Sequence, residues 1–267
     1  RYSTHCDNYS LDIIFICNRN IFALKRIITQ NNYIDLFYMN PSIYTSAYYS
    51  LVIQFIIGII CLLGTFIKLD IQDKILNEIL VLETVVQFIE FSFYLWLIYN
   101  FNNIKIDISV VRYYDWLLTT PTMLFALICF MVYFHKKTEI NSTTEEMSLE
   151  NIYHENSSII NKILASNAIM LLLGYLGELN IISKVSGFLG GTFFLLYAFY
   201  YLYITFVQEH PINKYLFWFN FVLWAGYGIA YLLSHENKNN VYNILDVFAK
   251  NINGLFILIF IVYKYYL

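Results

Sequence analysis

Charge is scarce in this chain. Only 13% of its 267 residues are Asp, Glu, Lys or Arg, against 59% that are hydrophobic, and the mean hydropathy of +0.56 is far from a soluble average. Prolines number only three. A soluble domain is excluded on these grounds, and no cyclase, kinase or other enzymatic module is visible. Cysteine is sparse too: Cys6, Cys17, Cys61 and Cys129 lack metal-ligand spacing. Two of them fall inside apolar segments, where a thiol packs as a small hydrophobe, so neither a metal site nor a disulfide framework is implied. The net charge of −3 is too small, and the basic residues too scattered, to imply nucleic acid as a partner.

What the chain has is long apolar runs. A bilayer-crossing helix needs about 20 mostly apolar residues, and seven such stretches occur, at about 44–67, 75–99, 108–134, 159–181, 184–207, 212–234 and 240–263. The runs are too long for barrel strands, and lipid-exposed backbone must bond internally, so all seven are expected to be helical. The expected fold is an all-α membrane protein, a seven-transmembrane helix bundle. Lys68, Lys74, Lys136, Lys137, Lys162, Lys214 and Lys264 fall on one side, whereas Lys105, Lys184 and Lys238 fall on the other. The richer side is expected to face the cytoplasm, which puts the N-terminus outside and the C-terminus inside.

Three connecting regions carry their own expectations. Residues 136–158, with Glu139, Glu145, Glu146 and Glu150 among Ser, Thr and Asn, read as a flexible polar loop. Residues 68–76 alternate charged and apolar types and read either as a short interfacial helix or as a loop running into the second span. Residues 1–38 begin at Arg1, carry no signal peptide and mix short apolar runs with Asn and charge, while Met39 stands just before the first span. Met39 is therefore expected to be the start of a domain covering 39–267, with 1–38 translated upstream sequence; the rival reading is an ordered extracellular cap. Mass spectrometry for peptides preceding Met39 separates the two.

Lys250 lies near the middle of the last span. An ammonium at a bilayer midplane costs roughly 2.5 to 3.5 kcal/mol, so an intramembrane lysine marks a functional site with a partner nearby. Asp246 is one helical turn before it, on the same face. In the third span, Arg112-Tyr113-Tyr114-Asp115-Trp116-Leu117-Leu118-Thr119-Thr120-Pro121 again buries charge, and the sixth carries Trp224-Ala225-Gly226-Tyr227-Gly228-Ile229-Ala230-Tyr231.

These three motifs, in this order, resemble microbial (type 1) rhodopsins. Two positions depart from that family's pattern: Gly228 replaces a proline and Tyr231 a second tryptophan. The resemblance implies all-trans retinal bound to Lys250 as an imine, with Trp116, Thr120, Met170, Trp224, Tyr227 and Tyr231 around the polyene. Physics agrees that a protonated imine in a dry pocket needs neutralising, and Asp115 and Asp246 are candidate paired counterions. Arg112, one turn from Asp115, offsets the repulsion between the two carboxylates, and Thr119 is placed to donate a hydroxyl hydrogen bond to Asp115. Taken alone, Arg112 and Asp115 are equally readable as a structural ion pair, and the aromatics as ordinary packing in a chain that is 19% aromatic.

In outward proton pumps of this family, the position eleven residues after the counterion usually holds a carboxylic acid; here it is Ala126. The second span instead places Glu83, Gln87 and Glu90 on one face, with Glu78 further along. Membrane carboxylates mark a water-filled route or proton relay. With Ser50, Gln54, Asn243 and Asn251, these residues resemble the ion path of channelrhodopsins, most of all the group 1 viral channelrhodopsins of algal giant viruses. That resemblance implies a light-gated cation channel in a host cell membrane, with lipids, protons and monovalent cations as partners, and it leaves a homo-oligomer open. The bland alternative is a closed polar seam, with a neutral Glu83 bonded to Asn251 and with Ser50 and Gln54 bridging helices. A light-driven proton pump, an anion channel and a sensory rhodopsin are the functional alternatives.

Overall fold

The computed structural model describes residues 40–104, 106–139, 147–207 and 210–266. Among these residues there are seven α-helices and no strand: α1 (Pro41–Gly64), α2 (Lys74–Asn100), α3 (Ile108–Glu139), α4 (Leu149–Glu178), α5 (Lys184–Leu202), α6 (Pro211–Tyr231) and α7 (His235–Tyr266). Six are long and apolar enough to cross a membrane. The exception, α6, carries Asn213, Lys214 and Asn220 in 21 residues. The extension before the expected start at Met39, together with Cys6, Cys17, Lys105, Glu145 and Glu146, lies outside the described residues.

Helix starts follow local chemistry. Asn40 accepts from Ser42 N at 3.0 Å ahead of Pro41, so α1 runs 41–64 rather than 44–67. Pro211 opens α6 in the same way. The largest departure from expectation is α4. Ser148 caps it by accepting from Asn151 N at 3.2 Å, so the helix begins at Leu149 and absorbs ten residues of the expected loop. Glu150, His154 and Glu155 keep that extra length soluble by lying on its exposed face. Between α1 and α2 there is one 3₁₀ turn, Ile71–Asp73, leading straight into α2, closer to the loop reading than to a separate interfacial helix. Beyond α5 the chain widens into a π-helix over Tyr203–Val207, and the Asn213 side chain donates to Phe206 O and to Met131 O, both at 3.0 Å.

Helices α1, α2 and α7 pack on one another, α3 lies against α2 and α4, and α6 closes against α7. The α4–α5 contact is tight because Gly177 and Gly187 meet there. A Cβ on Gly187 would come within 3.0 Å of Leu173 O and 3.4 Å of Gly177 Cα. Each end of the bundle is tied by ion pairs around one buried charge, Asp73 at one end and Lys238 at the other. At one end Asp73 accepts from Tyr133 (2.8 Å), Lys137 (3.1 Å), Tyr265 (2.6 Å) and Lys264. At the other, Lys238 pairs with Glu178 at 2.6 Å and lies 3.9 Å from Asp107, which also faces His235 at 3.3 Å.

Candidate functional site

Helix α7 carries Lys250 inward, with 1% of its surface exposed. Its Nζ donates to Asp115 Oδ2 of α3 at 2.5 Å and to Glu90 Oε2 of α2, and it lies 3.6 Å from Asp246 Oδ1 one turn back on α7. Three carboxyl groups from three helices therefore surround one amine. They are unequally supported. Asp246 Oδ2 accepts from Arg112 Nη1 and from Tyr94 OH, both at 2.8 Å, and its Oδ1 accepts from Tyr227 OH at 2.7 Å. Asp115 Oδ1 and Glu90 Oε1 have no hydrogen-bond partner in the protein. Asp246 is locked, and the other two acids each keep a bare oxygen with which to take up a proton.

Several expected partnerships are rearranged. Arg112 turns from Asp115 towards α7: beyond Asp246 its guanidinium reaches Asn243 Oδ1, Asn239 Oδ1 (3.4 Å) and Tyr94 OH (3.1 Å). An arginine fork is better satisfied by this ring of acceptors than by a single acid on its own helix. Thr119 does not donate to the Asp115 side chain; its hydroxyl bonds the Asp115 main-chain O at 3.0 Å, as Thr does inside helices. Glu90, expected along an ion path, meets Lys250 instead. Tyr94 was missed by the sequence reading, although it sits one turn beyond Glu90 on the same face.

Beside Lys250 lies an apolar cavity of about 110 Å³. Trp116, Thr120, Met170, Trp224, Tyr227 and Tyr231 all line it, as do Tyr113 of the Arg112–Pro121 motif and Phe188, Gly191 and Tyr242, which lie outside the motifs. Trp116 stands edge-on to Tyr227 (5.4 Å, 85°) and to Tyr242 (5.0 Å, 89°). Thr120 Oγ1 accepts from Asn167 of α4 at 2.8 Å. An apolar, aromatic-walled cavity ending at one buried amine fits a long hydrophobic aldehyde joined to that amine.

A second group of polar side chains runs between α1, α2 and α7. Ser50 donates to Asn243 O at 2.8 Å, and Gln87 Nε2 to Lys250 O at 3.4 Å and to Cys61 Sγ at 3.5 Å. Gln54 Oε1 and Nε2, Glu83 Oε2, Gln87 Oε1 and Asn251 Oδ1 are all buried without a hydrogen-bond partner in the protein. Asn251 Nδ2 donates to Val247 O at 3.1 Å, and Asn251 Oδ1 and Glu83 Oε2 do not meet in a hydrogen bond. Glu78 stands apart, accepting from Leu149 N at 3.1 Å near the end of the bundle. Gly254 gives the strip its room, because a Cβ there would lie 2.6 Å from Gln87 Nε2.

The bacteriorhodopsin-like protein family matches this chain over residues 45–263. Among solved structures, the viral rhodopsin OLPVRII is 28% identical with a TM-score of 0.71, over 84% of this chain and 99% of that one. Blue light-absorbing proteorhodopsin from Med12 is 20% identical with a TM-score of 0.64, over 83% and 97%. The proton-pumping rhodopsin AR2 from the marine alga Acetabularia acetabulum is 18% identical with a TM-score of 0.65, over 85% and 98%. No curated protein matches the sequence.

Proposed function

The chain belongs to the bacteriorhodopsin-like family, and from that premise we propose that it is a light-gated cation channel whose chromophore is carried by Lys250. It is a multi-pass membrane protein, and its cofactor is retinal held as a Schiff base. Lys250 is the attachment point because its Nζ is the amine that lines the apolar cavity. Bound retinal supplies light absorption and a change of shape beside Nζ.

The remaining steps belong to the chain. A free ammonium donates three hydrogens, whereas the nitrogen of a protonated imine keeps one, so Glu90 and Asp115 compete for it. Three carboxyls face two cations, Lys250 and Arg112, and in a dry site one of the three then holds a proton. Asp246, tied by Arg112, Tyr94 and Tyr227, stays charged and holds α7 to α2, α3 and α6. Asp115 or Glu90 receives the proton that Nζ releases. That transfer removes the charge pair joining α7 to α2 and α3, and the seam beside it opens.

The observation that carries the channel reading is the set of unpaired polar atoms on Gln54, Glu83, Gln87 and Asn251, continuous with the Lys250 cluster. A seam built only to close would satisfy such atoms within the protein, whereas a route for hydrated ions leaves them free for water. Ser50 and Asn243 extend the strip towards the Arg112 end. An ionised Glu90 at the head of this strip favours cations over anions. The lysine-rich Asp73 end is assigned to the cytoplasm and the Asp107 end to the exterior, in a host cell membrane.

Whole-cell photocurrent with added retinal, recorded against voltage with sodium and chloride varied independently, tests this. A reversal potential that follows sodium or protons is expected. Current that never reverses means a pump, reversal at the chloride potential an anion channel, and a coloured surface protein without current a photosensor.

A further inference from the structure

Glu83 differs from every other interior acid. Asp115, Asp246 and Glu90 each touch Lys250 or Arg112, whereas Glu83 forms no ion pair among the described residues, is 1% exposed and leaves Oε2 without a hydrogen-bond partner. An ionised carboxylate so placed would lose its hydration with no cation to offset the loss, so the group is a neutral acid holding its proton.

Its surroundings give that proton one direction of use. Glu83 lines a cavity of about 10 Å³, closed by Ala126, Leu127 and Phe130 of α3, Leu216 of α6 and Asn253 of α7. That is room for about one water. None of those neighbours titrates; the titratable group facing from α1 is the thiol of Cys61, which already accepts from Gln87. One turn along α2, Gln87 offers an unpartnered Oε1 and donates to the main chain of Lys250, and Glu90 beyond it meets Nζ. The stripe Glu83, Gln87, Glu90 thus runs from a neutral acid to the amine. Between Trp116 and Lys137, α3 has no Asp or Glu, so no acid on that helix serves this half of the bundle.

We propose that Glu83 is the internal acid that returns the proton to Lys250 Nζ after each light cycle. Its O–H bond breaks, the proton crosses by way of water and the Gln87 amide, and an N–H bond forms at Nζ. The Glu83 carboxylate then recovers a proton from solvent at the Asp73 end, and the acid beside Nζ that took up its proton releases one to solvent at the Asp107 end. This rests on Lys250 as the attachment point, and not on whether ions flow.

The test is flash photolysis with time-resolved infrared spectroscopy on the purified, full-length pigment, which needs no current. In the unsubstituted protein the return of the proton to Nζ is expected at a rate that does not change between about pH 6 and pH 8. In Glu83→Gln it should slow about tenfold for each unit of rising pH, as delivery from solvent requires. A protonated-carboxyl band should bleach in step with the return and be missing from Glu83→Gln, and Glu83→Asp should restore the flat profile. A flat profile retained in Glu83→Gln, or a bleached band that survives the substitution, overturns the proposal. A coloured Lys250→Ala protein overturns instead the attachment on which it rests.

Discussion

Glu90 of α2 and Asp115 of α3 face each other across the Nζ of Lys250, each accepting from it and each keeping one oxygen without a partner. Two helices are thereby tied to a third through one nitrogen. That nitrogen is the one expected to change protonation state in light, so the tie and the chemistry share an atom.

Removing a negative charge beside the nitrogen lets positive charge spread along the polyene. With Asp246 charged and one proton shared between Asp115 and Glu90, whichever of Asp115→Asn and Glu90→Gln removes the ionised group is expected to shift the absorption maximum of the purified pigment to the red, the other leaves it nearly in place, and Lys250→Ala abolishes the colour. An unshifted spectrum in both Asp115→Asn and Glu90→Gln would mean that neither acid carries its charge beside Nζ once the chromophore is bound.

Arg112 is fully buried and serves Asp246, Asn243, Tyr94 and Asn239 at once. Breaking a buried ion pair from one side costs about 3 to 5 kcal/mol. Arg112→Gln should therefore bleach at a clearly lower temperature than the parent, as followed by loss of visible absorption on heating.

Gln54 leaves both ends of its amide free inside the seam. Gln54→Leu takes away a polar group worth about 1 to 3 kcal/mol to a passing ion or water. Photocurrent at equal surface expression should fall about tenfold or more, with an unchanged absorption spectrum. A current of normal size would place the conducting route elsewhere.

Acid should loosen the end of the bundle held by Asp107. Burial opposes its charged form, but His235, Lys238 and the Ser109 N–H outweigh that and lower its pKa from 3.8 to about 2. A carboxyl held below its unfolded value adds stability that is complete above about pH 4 and disappears as the pH falls through about 2. The contribution is about 2 kcal/mol. Asp107→Asn should be less stable at neutral pH and should show a flatter fall in stability between about pH 4 and pH 2, measured by thermal bleaching across that range.

The helical fold was legible in the chain because bilayer-spanning segments announce themselves by length and apolarity, and all seven expected spans overlap a helix. The start of α4 was not legible, because seven of its first ten residues are polar; a serine cap and a helix face turned to water do not register as apolar run length. Lys250, Asp246, Asp115 and the aromatic lining were readable as residues, since charges in apolar runs and the Arg112–Pro121 and Trp224–Tyr231 motifs are local patterns.

Partnership was decided only by the tertiary structure. Spacing along α3 suggested Arg112 with Asp115, and spacing along α2 grouped Glu90 with Glu83, because one-dimensional periodicity reports which side chains share a helix face. It does not report what the neighbouring helix presents to that face. Packing α7 between α2 and α3 turned Arg112 to Asp246, brought Glu90 to Lys250 and left Glu83 without a cation. Residues with identical chemistry in the chain thus acquired different surroundings from the helices that close around them.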